Sequence, residues 1–161
     1  MKHTLAVTVD NKPGVLTRVT TMFRRRGFNI DSLTVGATEN PTISRMTIVV
    51  EGDDQIIEQV TKQLYKLVNV IKIVDVTNER AVERELVLIK VKADASVRAE
   101  VMQIVEIFRA RIVDIGKNNL IIEVTGDSAK IDAIEEALRP FGISELVRTG
   151  KIAMLRGGCK G

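Results

Sequence analysis

The sequence predicts an α+β protein built from two tandem ferredoxin-like β-α-β-β-α-β units. Two observations predict it. The apolar positions switch between a two-residue and a helical period in the same strand-helix-strand-strand-helix-strand order twice over, each pass taking about 75 residues. The apolar residues are also mostly Val, Ile, Leu and Met, with only 3% aromatics, a β-branched supply that suits strands. Such an order yields an antiparallel sheet with two helices on one face.

In the first pass, TLAVTV (4–9) alternates Leu5, Val7 and Val9 against Thr4, Ala6 and Thr8, as a half-buried strand does. From Val15 the stripe Val15, Leu16, Val19, Met22, Phe23 marks a helix entered through Pro13-Gly14 and ended by Gly27. Residues 30–37 and 44–51 read as strands joined by a turn at Glu39-Asn40-Pro41. Asp53 or Asp54 caps a second helix bearing Ile56, Ile57, Val60, Leu64 and Leu67, and VIKIVDV (70–76) is the fourth strand, with Ile71 and Ile73 facing away from Val70, Val74 and Val76. The charged stretch 78–84 is expected to be a linker between a domain at 1–77 and another at 85–161.

The pattern restarts with ELVLIKVKA (85–93) and a helix striped by Val97, Val101, Ile104, Val105 and Phe108. ARIVDI (110–115), the turn Lys117-Asn118-Asn119 and LIIEVT (120–125) form a hairpin. A helix over 128–139, a strand over 143–149 and a short extension, KIAML (151–155), complete the pass. Units this small bury only about 60% of the surface their unfolded chains expose. Their sheets are therefore expected to be covered or extended by another chain.

Composition excludes several function classes. The net charge is +3, and the two halves split at residue 80 carry 11 Lys/Arg against 9 Asp/Glu and 13 against 12, so neither is a basic module. The run Arg24-Arg25-Arg26 reads as a solvated helix C-terminus, and TLAVTV and RMTIVV lack the aromatics on which such sheets stack RNA bases. No nucleic-acid partner is expected. One cysteine, Cys159 in a Gly-rich tail, excludes an internal disulfide framework and a Cys-based zinc site, and it reads as an exposed incidental thiol. Without an apolar stretch near ~18 residues or a signal-peptide pattern, the chain is read as cytoplasmic, with no membrane contact.

Catalysis is poorly provisioned, and no catalytic or metal-binding residue is assigned. His3 is the only imidazole and has no cysteine near it; it reads as an ordinary strand residue. Asp53-Asp54 and Glu135-Glu136 fit a helix start and a solvated helix face. Phosphate-binding glycine loops and metal-ligand spacings are absent.

The ligand-binding chemistry gathers at Asp10-Asn11-Lys12-Pro13-Gly14-Val15-Leu16, where a strand hands over to a helix. A helix N-terminus offers unpaired N–H groups and a positive dipole end to a carboxylate, and Gly14 carries no side chain to keep a ligand off the backbone. The same residues would also make a plain turn. Gly27-Phe28-Asn29-Ile30-Asp31 is a second polar turn open to either reading.

D-N-K-P-G-V-L (10–16) resembles the loop of ACT domains, small amino-acid-binding modules of regulated metabolic enzymes. F-R-R-R-G-F-N-I-D-S-L-T-V (23–35), P-T-I-S-R-M-T-I (41–48) and E-R-E-L-V-L-I-K-V (83–91) resemble the small regulatory subunits of acetohydroxyacid synthase, also called acetolactate synthase, over nearly the whole chain. The resemblance implies an N-terminal ACT domain that forms a homodimer edge to edge. It also implies that valine, or a related branched-chain amino acid, binds at the interface, on Asn11, Gly14, Val15 and Leu16 of one chain with Asn29 and Ile30 of its neighbour. The second half is implied to contact and activate the large catalytic subunit. That partner is expected to carry thiamine diphosphate, Mg and FAD and to join pyruvate to a second 2-oxo acid, this chain holding no cofactor. The alternatives are an ACT-type sensor acting on another enzyme or on transcription, and an RNA-binding or enzymatic module on the same fold.

Overall fold

The computed structural model describes residues 1–158; Cys159 and its expected exposure lie outside the described residues. The chain divides into two compact units, one of Met1–Val82 together with the described residues from Gly150 on, the other of Glu83–Thr149.

In unit 1 the elements are β1 (Lys2–Asp10), α1 (Val15–Arg26), β2 (Ile30–Ala37), β3 (Ile43–Glu51), α2 (Asp54–Tyr65) and β4 (Val70–Asp75). The four strands form an antiparallel sheet in the order β2-β3-β1-β4. Two-residue alternation puts Leu5, Val7, Val9, Met46, Ile48 and Val50 on one face, where they meet the helix stripes Val19-Phe23 and Val60-Leu64 in a single core. Gly27 stops α1 at φ 68°, its amide donating to the Arg24 carbonyl while Phe28 N–H reaches Phe23 C=O. Asp53 starts α2, its carboxylate accepting from Ile56 N–H at 2.9 Å.

The faces of β4 differ from simple alternation. The register against β1 shifts between Thr8 and Val9, which pair with Lys72 and Val70. This bulge at Ile71 turns Val70 to the helix side beside Ile73 and leaves Ile71 exposed.

The sheet face opposite the helices is partly covered from within the chain, by its C-terminal segment. The last strand, β9 (Ile152–Leu155), follows Gly150 and Lys151 across β2, β3 and β1. Lys151 N–H donates to Ser32 Oγ at 3.3 Å, Arg45 donates to the Ala153 carbonyl at 2.7 Å, and Ala153 buries with Ala6 and Val76. Gly150 lies so close that an added Cβ would sit 3.0 Å from both Leu33 O and Ser32 Oγ. The expected linker 78–84 shrinks to a turn, since β5 (Ala81–Lys92) already begins at Ala81. The expected second domain, 85–161, accordingly gives up its described residues from Gly150 on to unit 1.

Unit 2 repeats the plan with β5, α3 (Arg98–Ile107), β6 (Arg111–Ile115), β7 (Asn119–Gly126), α4 (Ser128–Leu138) and β8 (Ile143–Arg148), in the sheet order β6-β7-β5-β8. Val87, Ile89, Val91, Leu120, Ile122 and Val124 face Val101, Ile131, Ile134 and Leu138. The repeat extends to backbone detail. Arg109 stops α3 as Gly27 stops α1, at φ 53°, with Arg109 N–H on Glu106 C=O and Ala110 N–H on Val105 C=O. Asp127 caps α4 as Asp53 caps α2, accepting from Lys130 N–H at 2.9 Å.

Candidate functional site

The loop after β1 is held from three sides. Asn11 N–H donates to Thr42 C=O at 2.8 Å, and its side-chain amide donates to Pro41 C=O at 2.9 Å. Asn69, buried just before β4, donates to Asp10 Oδ2 at 3.1 Å and accepts from Arg18, while Asp10 N–H returns to Asn69 C=O. Asn11 is thereby positioned with its Nδ2 committed, so its Oδ1 is the acceptor it can offer. Asn69 is a positioning residue that no periodicity or motif signals.

Gly14 precedes α1 at φ 83° and ψ −8°, and nothing lies within 4 Å of where a Cβ would stand. No side chain caps this helix, in contrast with α2 and α4. Arg18 N–H is the first to bond back, to Gly14 C=O, and Val15 N–H makes only a long 3.4 Å contact with Lys12 C=O. The backbone donors of Val15, Leu16 and Thr17 thus point out of the helix end. Leu16 is 43% exposed beside them, an apolar wall next to the donors. The Val15 side chain is in the core, so only its amide could face a ligand.

Asn29 and Ile30 lie elsewhere. Asn29 is exposed and donates to Asp31, and Ile30 packs on the helix-side core. Ile30 pairs with Val50, which pairs with His3, whereas the Asn11 loop follows Asp10 at the far end of β1. Seven residues of strand separate the two levels, about 23 Å. One copy of unit 1 does not bring the six residues together.

The single imidazole and the paired carboxylates sit in structural surroundings. His3 is buried, its Nδ1 3.0 Å from Asp75 Oδ2. Burial alone would push the Asp75 carboxyl up, but hydrogen bonds from the Thr77 hydroxyl and amide and from His3 hold it below its ordinary value. Asp54 is exposed, and Glu135 and Glu136 pair with Arg139 along a helix face. Arg24, Arg25 and Arg26 occupy the exposed last turn of α1, Arg26 donating to Gln63. In unit 2 the loop equivalent to 10–14 is filled by its own carboxylate: Asp94 accepts from the Ser96 hydroxyl and amide, which hold it below its ordinary value. Among the described residues no helix is long and apolar enough to cross a membrane.

Residues 5–72 match the family model of the AHAS small subunit-like ACT domain, and residues 84–157 match that of the small subunit of acetolactate synthase. A probable acetolactate synthase small subunit of Archaeoglobus fulgidus is 59% identical over 160 residues, covering 99% of this chain and 100% of the relative. The acetolactate synthase small subunit of Mycobacterium leprae is 52% identical, over 96% of this chain and 92% of its own. The crystal structure of the acetolactate synthase small subunit from Thermotoga maritima superposes with a TM-score of 0.91 at 45% identity, covering 99% of both chains. With family models spanning both units and relatives above half identity along nearly their whole length, the chain belongs to the acetolactate synthase small subunits, regulatory subunits bearing an ACT domain.

Proposed function

We propose that this chain activates the catalytic subunit of acetolactate synthase and makes it subject to feedback inhibition by valine, which binds between two copies of unit 1. The uncapped N-terminus of α1, with Asn11 and Leu16 beside it, carries the reading. The ligand's carboxylate meets the free amides, Asn11 Oδ1 accepts from its ammonium, and Leu16 bounds an aliphatic side chain. Such a site selects by charge at one end and by size at the other.

The separation of Asn29 and Ile30 supports a dimer. β2 is an edge strand, and its Ala37 end is level with Ser44 and Val9, beside the Asn11 loop. Antiparallel pairing of two β2 edges sets the Ile30 end of one copy at the Ala37 end of the other. Asn29 and Ile30 of a second copy then complete the site that Asn11, Gly14, Val15 and Leu16 begin. Unit 2 serves as the contact with the catalytic subunit, where the chemistry and its cofactors reside. The test is an assay of the catalytic subunit with and without this chain across a valine titration, with calorimetry of valine on this chain alone. Activation with valine-dependent inhibition is expected; activity indifferent to both would overturn the reading.

A further inference from the structure

Unit 2 has its own unpaired edge, β6, and its surroundings are unusually apolar for an exposed one. Ile107 and Ile115 are 75% and 66% exposed, and Met102 and Val113 about half. Beside β6 runs a groove of about 400 Å³ along α3, lined by Ala99, Met102, Gln103, Val105, Glu106 and Ile112. Proteins commonly blunt such edges with charge, proline or a covering element. None of these lies along RIVDI except Arg111 and Asp114, and their placement favours pairing.

The register of β6 on β7 shifts between Ile112 and Asp114, so Val113 is a bulge. Arg111 opposes Glu123 and Asp114 opposes Ile121, which puts both charged side chains on one face of the sheet, while Ile112 and Ile115 oppose Ile122 and Leu120 on the helix face. Both charges are exposed, and neither is in an ion pair with another described residue. A strand carrying Arg and Asp on one face near its two ends is self-complementary about a two-fold axis: turned antiparallel on itself, each Arg111 meets the other copy's Asp114. At this register Ile115 of each copy stands opposite Ala110 of the other.

We propose that β6 of unit 2 pairs antiparallel with β6 of a second copy of this chain, with Arg111 against Asp114 at both ends. This contact is separate from the amino-acid site and does not rest on it. The charges provide the test, on the full chain. Arg111→Asp makes both ends acidic and Asp114→Arg makes both ends basic, so each variant alone repels itself. A one-to-one mixture restores opposite charges at both ends, as does the double exchange Arg111→Asp/Asp114→Arg within one chain. Hydrogen exchange of the 110–116 segment reads the contact directly, whatever holds unit 1 together, and circular dichroism reads folding. The expected result is exchange at least tenfold faster in each single variant than in the wild type, recovered in the mixture and in the double exchange. Equal exchange in all samples, failure of the mixture and the double exchange to recover protection, or variants that keep protection while losing the catalytic subunit would each overturn the proposal.

Discussion

Substituting Gly14 with Asp separates what this residue does for the fold from what it does for the ligand. At φ 83° an L-residue is strained by about 1–2 kcal/mol, though Asp enters this region more readily than most. There is no steric term, because the space around a Cβ at Gly14 is empty. The new carboxylate sits at the positive end of α1 and recovers about 0.3–1 kcal/mol. It cannot act as a regular N-cap, which requires extended backbone. The net cost is about 1 kcal/mol, a fall in melting temperature of roughly 2–8 °C. Against the ligand the effect is larger, since the carboxylate occupies the amides a bound amino acid uses and repels its carboxylate. If site coupling is about 1–3 kcal/mol, the 5–150-fold range of typical allosteric effects, its loss leaves an activating subunit that ignores valine. Gly14→Asn is the control, with similar backbone tolerance and no charge, and it should retain measurable binding. The assay combines melting temperature, calorimetry with valine, and inhibition of the catalytic subunit across a valine titration. Gly14→Asp protein that melts normally and remains fully sensitive to valine would refute the reasoning.

Other substitutions test other parts of the structure. Gly150→Val drives a side chain into Thr34, Ser32 Oγ and the Leu33 carbonyl, and should cost about 1–3 kcal/mol as overpacking. Amide exchange in 150–156 should quicken in that variant. Arg109→Gly relieves the one positive-φ non-glycine residue among the described residues and should raise stability by about 1 kcal/mol, read by denaturant titration. Because Asp75 is held below its ordinary 3.8, the native state binds its proton less readily than the unfolded chain does. Its contribution is full above the unfolded value and is lost as pH falls through the folded one. Asp75→Asn should therefore flatten the decline in melting temperature between about pH 5 and pH 3.

The helices and strands were legible because each carries its period over enough residues to define a face. β1 and α1 alternate and repeat without interruption, and Gly27 marks the end of α1. Simple alternation fails at Val70 and Ile71 of β4 because a bulge moves one residue between faces without changing composition. Arg109 in the left-handed region carries no compositional mark, since only its place in the repeat equates it with Gly27. The Asn11-Gly14 loop was visible as free amides beside a glycine, and its assignment to an amino acid came through resemblance. The burial of Val15 has no mark in the motif, and it leaves only the backbone of this residue for a ligand. Nothing in KIAML says which sheet it will lie on, because so short an apolar stretch fits many surfaces.

The chain leaves unit 1 at Val82 and comes back to it at Gly150, which sets a timetable for synthesis. When Val76 has emerged, every strand of the first sheet exists, yet Ala6 and Val76 still await Ala153. At about 5–20 residues per second the missing segment follows roughly 4–15 seconds later, and unit 2, continuous in sequence, is finished in the interval. A nascent chain therefore carries a bare patch on its first sheet until Ala153 has been made. A fragment ending near residue 77 keeps that patch permanently, so exposed apolar surface and self-association are the properties to expect of it, even where its amino-acid loop is intact.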